Sequence, residues 1–110
     1  MRRSILVSLA VAVLAAPPSA GAAACDPVKN PYAGTRYEGV DLTGIRASGV
    51  SCTEARRVAR GAHRKALGMT PPPSGVKRLE WHGWRVAGDL RGDSDSYRAT
   101  KRGDSVRWRF

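Results

Sequence analysis

Thiols and imidazoles, the side chains most readily recruited for covalent and acid–base chemistry near neutral pH, are few in this sequence. They amount to two cysteines, Cys25 and Cys52, and two histidines, His63 and His82. A nucleophilic site needs Ser or Cys beside a base that a third group orients. A zinc site needs paired Cys/His spacings of the Cys-x-x-Cys kind, and neither pattern occurs in the sequence. His63 falls among arginines in a helical stretch, and His82 lies between Trp81 and Gly83 at a strand start. Asp93-Ser94-Asp95 has two cation-capable carboxylates but lacks the remaining positions of a calcium loop. With Asp89 and Asp104, these acids read as turn formers. The triplet Arg-Gly-Asp occurs at 91–93 and again at 102–104. Display on hairpin tips would suit cell adhesion, but Gly-Asp is ordinary hairpin chemistry in an Arg-rich chain, and the turn explanation is preferred. No catalytic residue, metal ligand or cofactor is expected, and the chain reads as a non-enzyme.

Positive charge is the stronger signal. The 110 residues carry 19 Lys and Arg against 9 Asp and Glu, a formal net charge of +10. Arg56, Arg57, Arg60, Arg64 and Lys65 fall on one helical stretch, while Arg85, Arg98, Arg107 and Arg109 occupy the polar positions of alternating strands. These nine are the candidate anion-binding residues, with Trp81 and His82 as possible stacking surface. The implied partner is an anionic polymer, a lipid headgroup or membrane surface, or nucleic acid. Against a single patch stands geometry: a helix and a sheet that pack together present opposite outer faces. The alternative is a protein-interaction or inhibitor module using Trp81, the triple proline or a hairpin tip. A monomer is the default expectation.

The N-terminus has the form of a signal peptide, expected over 1–24. Arg2 and Arg3 precede an apolar run at 5–16, Pro17-Pro18 breaks it, and Ala22-Ala23-Ala24 offers a cleavage site before Cys25. Ala20-Gly21-Ala22 is an equally legal site. The Arg pair hints at twin-arginine export, though the general secretory route fits the rest better. A competing possibility is a lipobox, in which Cys25 is acylated and the protein is membrane-anchored; the usual Leu three residues before the Cys is Ala22 here. Removal of 1–24 takes Arg2 and Arg3 with it and leaves 17 basic against 9 acidic residues, net +8. Secretion into an oxidising compartment makes a Cys25–Cys52 disulfide the expectation, stabilising by ~3–4 kcal/mol on the chain-entropy model.

The element organising the rest is 51–67. Ser51 and Glu54 form a capping box, and Cys52, Ala55, Ala59, Ala62 and Ala66 recur at spacings of three and four, flanked by Val58 and Leu67. Gly68 is placed to give a left-handed cap. Upstream, 25–37 holds Pro27, Asn30-Pro31 and Gly34 without periodicity, and reads as a flexible arm. Val40, Leu42 and Ile45 mark a short strand in 38–47, bulged at Gly44. Met69 to Gly75 contains three prolines and reads as a stiff, extended connector. Three strands then follow: Trp84, Val86 and Leu90, with Gly88 at a possible bulge; Tyr97 and Ala99; and Val106, Trp108 and Phe110. The expected fold is α+β, a single domain over 38–110. One amphipathic helix packs on a small antiparallel sheet made of a short N-terminal strand and a C-terminal three-stranded meander.

Gly44-Ile45-Arg46-Ala47-Ser48-Gly49-Val50-Ser51-Cys52-Thr53-Glu54-Ala55-Arg56-Arg57-Val58-Ala59 resembles a segment of small secreted actinobacterial proteins, largely uncharacterised. Gly83-Trp84-Arg85-Val86, Tyr97-Arg98-Ala99 and Gly103-Asp104-Ser105-Val106-Arg107-Trp108 align with the strands that follow it there. The resemblance covers about 40–110. Where that pattern has two strand cysteines, this chain has Val86 and Ala99, as if packing replaced a cross-link. It implies a fold and an export route, and no activity.

Overall fold

The structure, a computed structural model, describes residues 22–110. The signal-peptide and cleavage features over 1–21 lie outside the described residues. The fold is α+β: one helix, α1 (Cys52–Leu67), lies on one face of a six-stranded antiparallel sheet. The strands are β1 (Ala23–Ala24), β2 (Thr43–Ser48), β3 (Val76–Trp81), β4 (Trp84–Asp89), β5 (Ser96–Lys101) and β6 (Asp104–Arg109), and their spatial order is β1-β2-β6-β5-β4-β3.

α1 begins where its cap directs. The Ser51 hydroxyl accepts the Glu54 amide at 3.1 Å, satisfying one donor that the first turn leaves open. The reciprocal half of the capping box is replaced, because the Glu54 carboxylate takes both arms of Arg57 at 2.9 and 2.8 Å. At the other end Gly68 stays in the right-handed region (φ −79°) and donates to the carbonyls of Lys65 and Ala66, so the expected left-handed cap is not used. Ala55, Val58, Ala59, Ala62, His63 and Ala66 are the buried stripe. Small residues on that stripe let the helix approach the sheet closely. Gly61 extends the same logic: a Cβ there would stand 2.0 Å from Cζ2 of Trp81, so the indole occupies the place of a side chain.

The sheet is larger than the expected four strands. β3 adds a fourth member to the meander, and β1 caps the far edge beside β2. Alternation sets sidedness: Ile45 and Ala47, Trp84 and Val86, Tyr97 and Ala99, and Val106 and Trp108 all point at α1 and are buried. β3 runs in continuous register with β4, pairing Leu79 with Val86 and Trp81 with Trp84. Gly88 marks no bulge. Its ladder to Tyr97 is regular, and its missing side chain makes room for the Tyr97 ring, which a Cβ would meet at 2.3 Å. The bulge at Gly44 is present, as a shift in β2–β6 register between Thr43 and Arg46. Two hairpins close on His82-Gly83 and Arg102-Gly103, whose φ angles of 48° and 84°, then 52° and 87°, are the paired left-handed residues of a type I′ turn.

The segment over 25–37 is irregular but packed. Val28 and Tyr32 are buried in the core, Val28 exchanges both backbone bonds with Leu42, and Tyr32 and Tyr37 meet Phe110 edge-on at 5.8 and 5.4 Å. The core therefore draws on residues N-terminal to the expected boundary at 38. Turn chemistry at Pro27, Asn30-Pro31 and Gly34 disguises two anchors. Cys25 and Cys52 form the disulfide, with Cα atoms 5.4 Å apart, tying this segment to the first turn of α1. Of the three apolar residues that mark the expected N-terminal strand, Leu42 and Ile45 are buried in the core and Val40 is 38% exposed.

Candidate functional site: an arginine-faced sheet

α1 covers one side of the sheet, leaving the other side to solvent. The strand register places the outward residues in rows perpendicular to the strands. In the central row Arg46 of β2 stands opposite Arg107 of β6, Arg107 opposite Arg98 of β5, Arg98 opposite Ala87 of β4, and Ala87 opposite Arg78 of β3. Like charges directly opposite across strands are destabilising, yet four arginines occupy this row and all are exposed. One flanking row runs Ser48, Ser105, Thr100, Arg85 and Glu80. The other runs Thr43, Arg109, Ser96, Asp89 and Val76. Hydroxyl donors thus border guanidinium forks on both sides.

An open groove of about 730 Å³ follows this face, and Arg46, Arg78, Arg91, Arg98, Arg107 and Arg109 line it. A second hollow of about 590 Å³ adjoins it, bounded by Arg78, Arg85, Ala87, Arg98 and Thr100. Asp89 is the one carboxylate in the larger groove's lining. Arg91 grips it at 2.9 and 3.0 Å, and these bonds hold its acidity well below the usual range, at about 2. The ion pairs among the described residues are Lys29–Asp41, Arg57–Glu54 and Arg91–Asp89. Among the described residues, then, the row arginines have no carboxylate partner.

Of the expected anion-binding set, Arg85, Arg98, Arg107 and Arg109 share this face. Arg56, Arg57, Arg60, Arg64 and Lys65 lie on α1, on the opposite side of the sheet, so the nine form two surfaces. Several of the helix cations are engaged internally: Arg57 by Glu54, Arg56 with the Pro27 carbonyl at 3.3 Å, and Lys65 with the Glu80 carbonyl at 2.7 Å. Trp81 adds no stacking surface to the arginine face. It points inward, against Gly61 and beneath the Arg57 guanidinium at 5.1 Å. His82 sits at a hairpin tip. Arg46, Arg78 and Arg91 were not singled out from sequence. Arg46 follows the bulge that resets its register, and Arg78 belongs to the strand that the pattern concealed.

His63, the helix histidine, is fully buried. Its Nδ1 meets the Tyr32 hydroxyl, and the rings of Tyr97 and Phe110 close over it at 4.9 and 4.3 Å. Burial, then the charge of Lys77, pushes its pKa down to about 4, while burial pushes Tyr32 up to about 12. The contact is therefore one between a neutral phenol and a neutral imidazole. Lys77, also buried, donates from Nζ to the Ala66 carbonyl at 2.6 Å, where a cation suits the C-terminal end of a helix. This cluster clamps the N-terminal segment, α1 and the sheet together. Among the described residues no three His, Cys, Asp or Glu side chains gather as metal ligands would.

No protein-family model matches this chain, and no curated protein or solved structure matches it either.

Proposed function

We propose that this protein is an exported, non-catalytic binding module whose uncovered sheet face takes an anionic polymer. The observation that carries this reading is the row Arg46, Arg107, Arg98 and Arg78, aligned in register without interleaved acid. Such a row costs stability by mutual repulsion, and a multivalent anion laid across the strands relieves it. All row cations are Arg, whose planar fork bonds oxyanions bidentately. The aromatic side chains of the strands point inward, which disfavours recognition by base stacking. Export is supported by the Cys25–Cys52 disulfide, which suits an oxidising compartment. The same bond engages the sulfur that acylation would need, so the disulfide form is not the lipoprotein form. Kinship with the small secreted actinobacterial proteins is part of this proposal; Val86 opposite Ala99 is where their cysteine pair would stand.

The test is retention on an immobilised polyanion as salt is raised. Affinity should fall linearly on a log–log plot, and removing one contacting arginine should lower the slope by about 1. The double change Arg98→Ala with Arg107→Ala should bring elution to much lower salt. Arg60→Ala with Arg64→Ala, an equal charge loss on the helix side, should change it little. Equal effects from the two pairs would reduce the behaviour to net charge alone.

A further inference from the structure

Resting on the sheet-face reading, the geometry points to a specific anion subsite over Ala87, shaped for a tetrahedral oxyanion with three free oxygens, a phosphate or sulfate monoester. Ala87 is the one small residue in the central row, and three arginines surround its methyl group. Arg98 and Arg78 stand directly opposite on the neighbouring strands, and Arg85 is two residues back on the same face. The groove and the smaller hollow share Arg78, Ala87 and Arg98 in their walls, so they meet at this point. Thr100, opposite Arg85, adds a hydroxyl. On the remaining side Asp89 faces the notch, and its carboxylate is already bound by Arg91.

The number of forks selects the ligand. A carboxylate presents two oxygens and is satisfied by one bidentate arginine. A phosphate or sulfate monoester presents three acceptor oxygens and can engage three guanidinium groups at once. A longer side chain at 87 would fill the place where those forks converge while leaving every charge unchanged. The subsite is thus a discriminator within the charged face, and the row beyond it, Arg107 and Arg46, extends toward further groups on the same polymer.

Three dextrans matched in charge per sugar test this: sulfated, phosphorylated and carboxymethylated. Titration at about 0.15 M salt should show the protein binding the sulfated or the phosphorylated polymer, or both, about tenfold tighter than the carboxymethylated one. Comparing the first two identifies which monoester is preferred. Ala87→Leu, and independently the strand-forming Ala87→Thr, should bring the ratio close to one by weakening binding of the monoester polymers more than of the carboxymethylated one. Arg98→Ala should weaken all three. A native ratio near one, or a ratio that survives both Ala87 variants, overturns the subsite; if Arg98→Ala still weakens binding, the sheet-face reading stands without it. No binding to any of the three overturns both.

Discussion

His63 contributes a pH dependence whose sign follows from its burial. Its pKa is about 4 in the fold against an ordinary value near 6.5, so the unfolded chain takes up the proton first. The stability that His63 supports is fully present above about pH 6.5 and is lost progressively as pH falls toward 4, levelling off below that. The expected loss is about 3 kcal/mol. Urea unfolding at stepped pH should show this slope, and His63→Asn, which keeps a polar atom for Tyr32, should flatten it. Titrating carboxylates act in both proteins and cancel in the comparison.

Gly61 shows an element obeying its neighbour and overriding its own propensity. Alanine in a helix interior is favoured over glycine by about 1 kcal/mol, yet Gly61→Ala should destabilise by about 1–3 kcal/mol, because its methyl would displace the Trp81 ring. In the Trp81→Leu background the same change should become neutral or stabilising, and a double-mutant cycle by urea unfolding measures the coupling. The elements were legible where hydrophobic period matched burial. The stripe of α1 and the alternation of β4, β5 and β6 follow directly from residue order. β3 was harder, because a buried lysine, Lys77, takes an inward position beside Leu79 and Trp81. The sheet half of the binding face was half visible: Arg85, Arg98, Arg107 and Arg109 came from alternation. Arg46 and Arg78 depended on a bulge and a strand that local pattern did not reveal. That Ala87 lies between arginines is a fact of register between strands, which no single strand contains.

At the scale of the whole molecule, one apolar core separates two basic surfaces. The helix side has its cations partly tied to Glu54 and to backbone carbonyls, whereas on the sheet side Arg78, Arg98 and Arg107 face solvent and Arg46 reaches the Ala22 carbonyl at 3.3 Å. The N-terminal segment holds the assembly shut by the Cys25–Cys52 bond at one point and by Tyr32 against His63 farther along. The same segment also runs along the outer margin of β2. Ala23 and Ala24 pair with Ala47 and Arg46, and the Cys25 amide continues the pairing to the Ile45 carbonyl at 2.8 Å. Open strand margins recruit other strands. If the chain is exported as proposed, the position of the cut would decide whether this margin is sheltered. A chain beginning at Ala23 keeps the two-residue cover, and one beginning at Cys25 bares the backbone of Arg46 and Ala47. Sedimentation velocity across a concentration series should find the shorter form self-associating and the longer one monomeric. Two alanines, too few to matter for the core, would then act as a guard against assembly by β-strand addition.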